Sequence, residues 1–219
     1  YLTNKFQDMP MQSPSFLVTR DEVFNEKGRL DPWRWAWIDG SAPDDATPAT
    51  ARQALAVAAG SGRMRRIPVG VIGPREATPQ QIATAEAIGA ALGQLGLTVI
   101  CGGKTGVMEA VSKGCLTAGG LTVGLLPDHD WRAANEFIAL PIATGLSEAR
   151  NMIIAKSGAG LLALGGLYGT WTEIAYGLHF CKPVIGLEGA HQIDGLENAR
   201  DAEEAVDRLA AHLMTSAGM

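Results

Sequence analysis

With 219 residues, 47% of them apolar and 19% charged, the chain has material for one α/β domain plus an appendage and an ordinary globular core. A formal net charge of −5 argues against a nucleic-acid partner, which needs a basic face to neutralise phosphates. No apolar run approaches the ~20 residues that span a bilayer and no signal-peptide pattern opens the chain, so a cytoplasmic protein with no membrane partner is expected.

Residues 1–66 read as an N-terminal β appendage and linker. Phe16 to Val18 is a short strand candidate, and Asn25 to Gly28 supplies a turn. Trp33, Trp35 and Trp37 alternate with Arg34, Ala36 and Ile38, the period of two of a strand with one aromatic face. Such a face packs on the main domain or on a second copy of the chain, which makes a homodimer the expected assembly. Residues 41–50, with prolines and aspartates, read as a linker, and residues 51–59 as a short helix ended by Gly60-Ser-Gly62.

Residues 67–219 alternate apolar strand runs with helices. Strands are expected at 67–73, 97–101, 121–126, 137–140, 161–164 and 183–187, with a seventh near 193–198. Helices are expected at 79–95, 106–118, 148–157, 170–180 and 201–213. The pattern implies an α/β fold, a Rossmann-like doubly wound parallel sheet of six to seven strands covered on both faces. Ligands in such sheets gather at the carboxyl ends of the strands, near the point where strand order reverses.

Three glycine-rich turns fall at those carboxyl ends: Gly73-Pro-Arg75, Gly102-Gly103-Lys104-Thr105-Gly106, and Gly165-Gly166-Leu167-Tyr168-Gly169-Thr170. Parallel strands bring all three to one side. A strand, a glycine turn and a helix N-terminus in that order make an anion site, because the backbone can approach a ligand closely and the helix end favours negative charge. Thr170 is expected to cap the following helix, with Glu173 one turn further on. A helix capped by Thr170 and closed by Glu173 in a capping box is the plainer alternative. Gly103-Lys104-Thr105 is not a P-loop, since Thr98 occupies the place of its first glycine. Lys104 is either a point charge for a phosphate or a solvated loop lysine.

Arg150 and Glu173 flank the fifth strand from the helices before and after it. A carboxylate beside an arginine can bind a ribose or phosphate, act on a glycosidic bond, or form an ordinary ion pair. Cys101, Cys115 and Cys181 are odd in number and sit in apolar context, which reads as core residues. No zinc spacing is present, and Asp128-His129-Asp130 reads as a polar loop, so no metal site is expected.

From about residue 67 to 213 the chain resembles the LOG-like Rossmann superfamily, which includes cytokinin-activating phosphoribohydrolases, many once labelled lysine decarboxylases, and molybdenum cofactor carrier proteins. The hydrolase pattern has an arginine in H-E-R-K followed by P-G-G-x-G-T-x-x-E. Arg150 and Glu173 lie 23 residues apart and match its two catalytic residues; Gly166, Gly169 and Thr170 match its phosphate loop. Gly165 replaces the proline, Leu167 the second glycine, and Glu148-Ala-Arg-Asn151 replaces H-E-R-K. The stretches 102–110, 118–127 and 149–151 look more like the carrier branch. The resemblance implies a binder or carrier of a small phosphate-bearing ligand, with the molybdenum cofactor or a nucleoside monophosphate as candidate cargo and no required cofactor. The alternative it implies is a nucleoside 5′-monophosphate phosphoribohydrolase, in which Glu173 serves the ribose and Arg150 the leaving base.

Overall fold

The computed structural model describes residues 16–218. Five short strands, β1 (Phe16–Val18), β2 (Val23–Asn25), β3 (Gly28–Asp31), β4 (Ala36–Ile38) and β5 (Thr47–Ala49), form an antiparallel sheet in the order β4-β3-β2-β1-β5. Residues 41–50 are therefore only partly a linker: β5 lies inside them and pairs with β1. Helix α1 (Ala51–Gly60) follows, its first turn closed by a capping box between Thr50 and Gln53.

The tryptophan alternation does not make one strand. The Asp31 carboxylate accepts from the amides of Trp33 and Arg34, each at 3.0 Å, and folds the chain into a turn. Trp35 takes a left-handed backbone (φ +53), and only then does β4 begin. The three rings consequently separate. Trp33 stays in solvent under the Arg65 guanidinium, 5.0 Å from its centroid. Trp35 Nε1 donates to Leu213 O at 3.0 Å, and Trp37 stacks on Phe16 at 6.1 Å. Trp35 and Trp37 are thus used within the chain, packed against the same core as helix α6 below.

The second sheet is parallel throughout, with order β12-β11-β10-β6-β7-β8-β9. Its elements are β6 (Pro68–Ile72), α2 (Pro79–Gln94), β7 (Thr98–Cys101), α3 (Val107–Thr117), β8 (Leu121–Leu126), β9 (Leu140–Ala143), α4 (Asn151–Ser157), β10 (Leu161–Leu164), α5 (Tyr168–His179), β11 (Val184–Leu187), β12 (Glu197–Asn198) and α6 (Ala202–Thr215). The chain builds outward from β6 to β9, then returns through a 3-10 turn (Ser147–Arg150) and α4 to β10 on the other side of β6. The switch point lies between β6 and β10, and a crevice opens there at the strands' carboxyl ends. No helix among the described residues is long and apolar enough to cross a membrane.

Two local departures have side-chain causes. The fourth strand starts at Leu140, not 137, because Thr122 Oγ1 donates to Phe137 O at 2.6 Å and accepts from the Ala139 amide at 2.8 Å. These bonds take the backbone groups a ladder would need. Cys181, expected in the core, is exposed in the turn after α5 with φ +53, whereas Cys101 and Cys115 are buried.

Helices α2 and α3 cross backbone to backbone. A methyl at Gly114 would run into Glu86 O, and one at Gly89 into Val111 O. Neither obstacle is a flexible side chain, so the helices themselves would have to part. Gly114→Ala should therefore destabilise by about 1–3 kcal/mol despite the better helix propensity of alanine. Denaturant titration checks this; an unchanged or raised midpoint would mean the crossing is not set by the glycines.

Candidate functional site

A cavity of about 600 Å³ occupies the crevice. Of the residues the sequence singles out, Gly73, Arg75, Gly102, Arg150, Gly166, Leu167, Gly169, Thr170 and Glu173 line it. Gly103, Lys104, Thr105 and Tyr168 are not among its lining residues. Lys104 turns away: its ammonium reaches Asp128 Oδ2 at 3.0 Å and Ala133 O at 2.9 Å. Tyr168 projects outward, 76% exposed, with its ring edge against Trp171. The structure adds Gln81, Met108, Ser147 and Asn151 to the lining.

The turn before α5 differs from the sequence expectation. The helix begins at Tyr168, two residues early, so Thr170 is its third residue rather than its cap. Leu167 stands in the capping position with an extended backbone (φ −113, ψ −151), and no side chain caps the helix. Among the described residues, none of the backbone N–H groups from Gly166 to Thr170 donates to a protein acceptor. Helices α1, α2 and α6, in contrast, are closed by Thr50, Thr78 and Asp201. Gly166 (φ +99) admits nothing larger, since a Cβ there would meet the Thr170 side chain. Gly165 has φ +56, which a proline ring locked near −65° cannot adopt. The leucine at 167 is 71% exposed at the rim, so its side chain does not fill the turn.

Arg150 and Glu173 form the floor, 6% and 7% exposed. Arg150 Nη1 lies 3.6 Å from Glu173 Oε1, an ion pair beyond hydrogen-bond length. The same Nη1 donates to Asn151 Oδ1, and Arg150 Nε is buried with no partner among the described residues. Gly102 makes the space: a methyl there would strike the Arg150 guanidinium and sit 2.8 Å from Met108 Sδ. Burial holds the Arg150 pKa below its ordinary value against the pull of Glu173. Burial pushes the Glu173 carboxyl up to about 8, with the Arg150 charge opposing it. The ligand-free site therefore presents a protonated acid beside a cation, under an open helix end.

A model of the SLOG cluster4 family matches residues 66–215. The chain belongs to that family. It is 38% identical over 144 residues to an uncharacterized protein of Archaeoglobus fulgidus, covering 66% of this chain and 95% of the relative. It is 30% identical over 128 residues to a cytokinin riboside 5′-monophosphate phosphoribohydrolase of Mycobacterium marinum, covering 54% and 68%. Among solved structures, the molybdenum cofactor carrier protein of Chlamydomonas reinhardtii is 31% identical with a TM-score of 0.63, covering 68% of this chain and 99% of that one. The family is LOG-like and the fold is shared with the carrier protein, as the motifs imply. Residues 16–65, with the five-stranded sheet, lie outside the family match.

Glu173 links the site to stability. The folded protein keeps the Glu173 proton up to about pH 8, while the unfolded chain releases it near the ordinary 4.5. Between those values the folded state binds more protons, so this contribution to stability is full at low pH and is lost as pH rises. Glu173→Gln removes the slope. Denaturation of both proteins at several pH values should show the variant gaining on the parent from about pH 5 to about pH 8. A constant difference across that window would mean Glu173 titrates as an ordinary carboxyl.

Proposed function

We propose that the protein binds and carries a small phosphate-bearing, nucleotide-like ligand, with the molybdenum cofactor as the cargo its solved relatives favour. The observation that carries this reading is the open N-terminus of α5. Gly166, Leu167, Gly169 and Thr170, whose N–H groups no protein atom accepts among the described residues, line the cavity that holds the buried Arg150. Unpaired amides and the positive dipole end suit a phosphate, and a desolvated guanidinium adds a full charge. The cavity falls within the ~300–1,000 Å³ of typical ligand pockets. Among the described residues no group of three or more His, Cys, Asp or Glu side chains is placed to hold a metal ion. A molybdenum atom would accordingly be held through its organic ligand, phosphate first.

Hydrolysis of a nucleoside 5′-monophosphate is the second reading. The Arg150/Glu173 pair and the Mycobacterium marinum relative favour it. Two features weigh against it. Burial raises the Glu173 pKa to about 8, which works against the carboxylate that would steady an oxocarbenium-like transition state. The turn with Gly165 at φ +56 departs from any turn that carries proline at that place. Incubation with adenosine monophosphate separates the readings, because only the hydrolase releases adenine.

Thr170→Val removes one hydroxyl from the turn and keeps its shape. A hydrogen bond to a charged group is worth about 1.5–3 kcal/mol, so phosphate-ligand affinity should fall roughly ten- to a hundredfold. Titration calorimetry with adenosine monophosphate and with the molybdenum cofactor checks it; unchanged affinity for whichever of them binds would take the turn out of the site.

A further inference from the structure

Arg150 has two oxygen partners at close range and does not divide itself evenly between them. Its Nη1 hydrogen-bonds Asn151 Oδ1, a neutral amide oxygen, while the Glu173 carboxyl waits at 3.6 Å. Were Glu173 ionised, its charge-assisted bond to the guanidinium would be the stronger one, so it is the position of the amide that decides where Nη1 donates. Asn151 has that position. It is 8% exposed, it opens α4 directly after Arg150, and its Nδ2 reaches Gly169 O at 3.5 Å in the first turn of α5. One side chain thus ties the arginine to the helix end that faces the cavity. The lysine of H-E-R-K could not do this, because an ammonium offers no acceptor to a guanidinium.

We propose that Asn151 is a positioning residue that draws the Arg150 guanidinium toward the first turn of α5 and away from Glu173, so that the arginine serves a bound anion instead of closing an ion pair. The purpose rests on the anion-binding reading, but the geometry is a property of the ligand-free protein. The charged and titratable groups that bear on Arg150 from neighbouring elements are Glu173 on α5, Arg75 after β6, the Cys101 thiol at the end of β7 and Glu148 on the 3-10 turn. None of them hydrogen-bonds the guanidinium among the described residues, which leaves Asn151 to set its direction.

The test needs no ligand. In protein labelled at the glutamate side-chain carboxyl carbon, the Glu173 signal is assigned by its loss in Glu173→Gln, and its titration midpoint is read by NMR. Asn151→Leu keeps the branched shape and removes the acceptor, so Arg150 should close on Glu173 and lower its midpoint by about one unit or more. Asn151→Ala should do the same and serves if the leucine variant does not fold. Asn151→Asp keeps an acceptor for Arg150 and adds a like charge, so the midpoint should hold or rise. A purely structural role would move all the variants in one direction. An unchanged midpoint in Asn151→Leu or Asn151→Ala, or a fall in Asn151→Asp as well, overturns the proposal. Failure of the anion-binding reading would show separately, as absence of phosphate-ligand affinity in the parent protein.

Discussion

A guanidinium and a carboxyl buried 3.6 Å apart are the constraint around which the carboxyl edge of the sheet is arranged. Taking either charge out of water costs several kcal/mol, and the pair does not come close enough to recover it in full. The protein meets the cost in two ways. Glu173 keeps its proton, and Arg150 leans on the Asn151 amide while one nitrogen, Nε, goes without a partner. A structure built for stability alone would replace this pair with apolar side chains. Placed at the floor of an open cavity, the pair is the feature on which the proposed anion site rests.

The helix ends carry the same message. Three helices are capped by side chains, Thr50 and Thr78 with their glutamines and Asp201 with two glutamates in the first turn, while α3 has no such cap and its first amide donates to Pro74 O instead. Each such cap contributes about 1 kcal/mol. At α5 the capping place holds a leucine that accepts nothing. The N–H groups from Gly166 to Thr170 are left without a protein acceptor among the described residues, and Gly166 keeps the Thr170 side chain clear of collision. Beyond the site, glycine contacts between α2 and α3 fix the helix that follows the Gly102–Gly106 turn, and Gly102 in turn leaves room for Arg150.

Much of this was legible in the residues. Apolar runs such as 161–164 are buried on both faces, so period and length alone give a parallel sheet. The Arg150 to Glu173 spacing brings the two together because both flank one strand. The start of α5 departs from the expectation because threonine after glycine is a common cap signal, whereas here Gly165 and Gly166 turn the chain with positive φ and Leu167 takes the cap. The tryptophan alternation misled because the Asp31 side chain, a local acceptor, overrides a period of two. Lys104 reads in the sequence as either a phosphate contact or a solvated loop lysine and is neither, because Asp128, 24 residues away, holds it. Asn151 had a visible signal, the loss of lysine from H-E-R-K, but its partners are a neighbour and a carbonyl 18 residues on, which no pattern shows.

In the proposed site the N-terminus of α5 is left open for an anion. Leu167→Asp tests it directly, since a carboxylate in the capping position would accept from the free amides of the first turn. The melting temperature should rise by about 2–4 °C, as a gain near 1 kcal/mol implies for a chain of this size. Affinity for the phosphate-bearing ligand should also fall at least tenfold in the same variant, measured by calorimetry. A variant that melts higher and still binds with the parent's affinity would contradict this site, because the anion would then be held somewhere else.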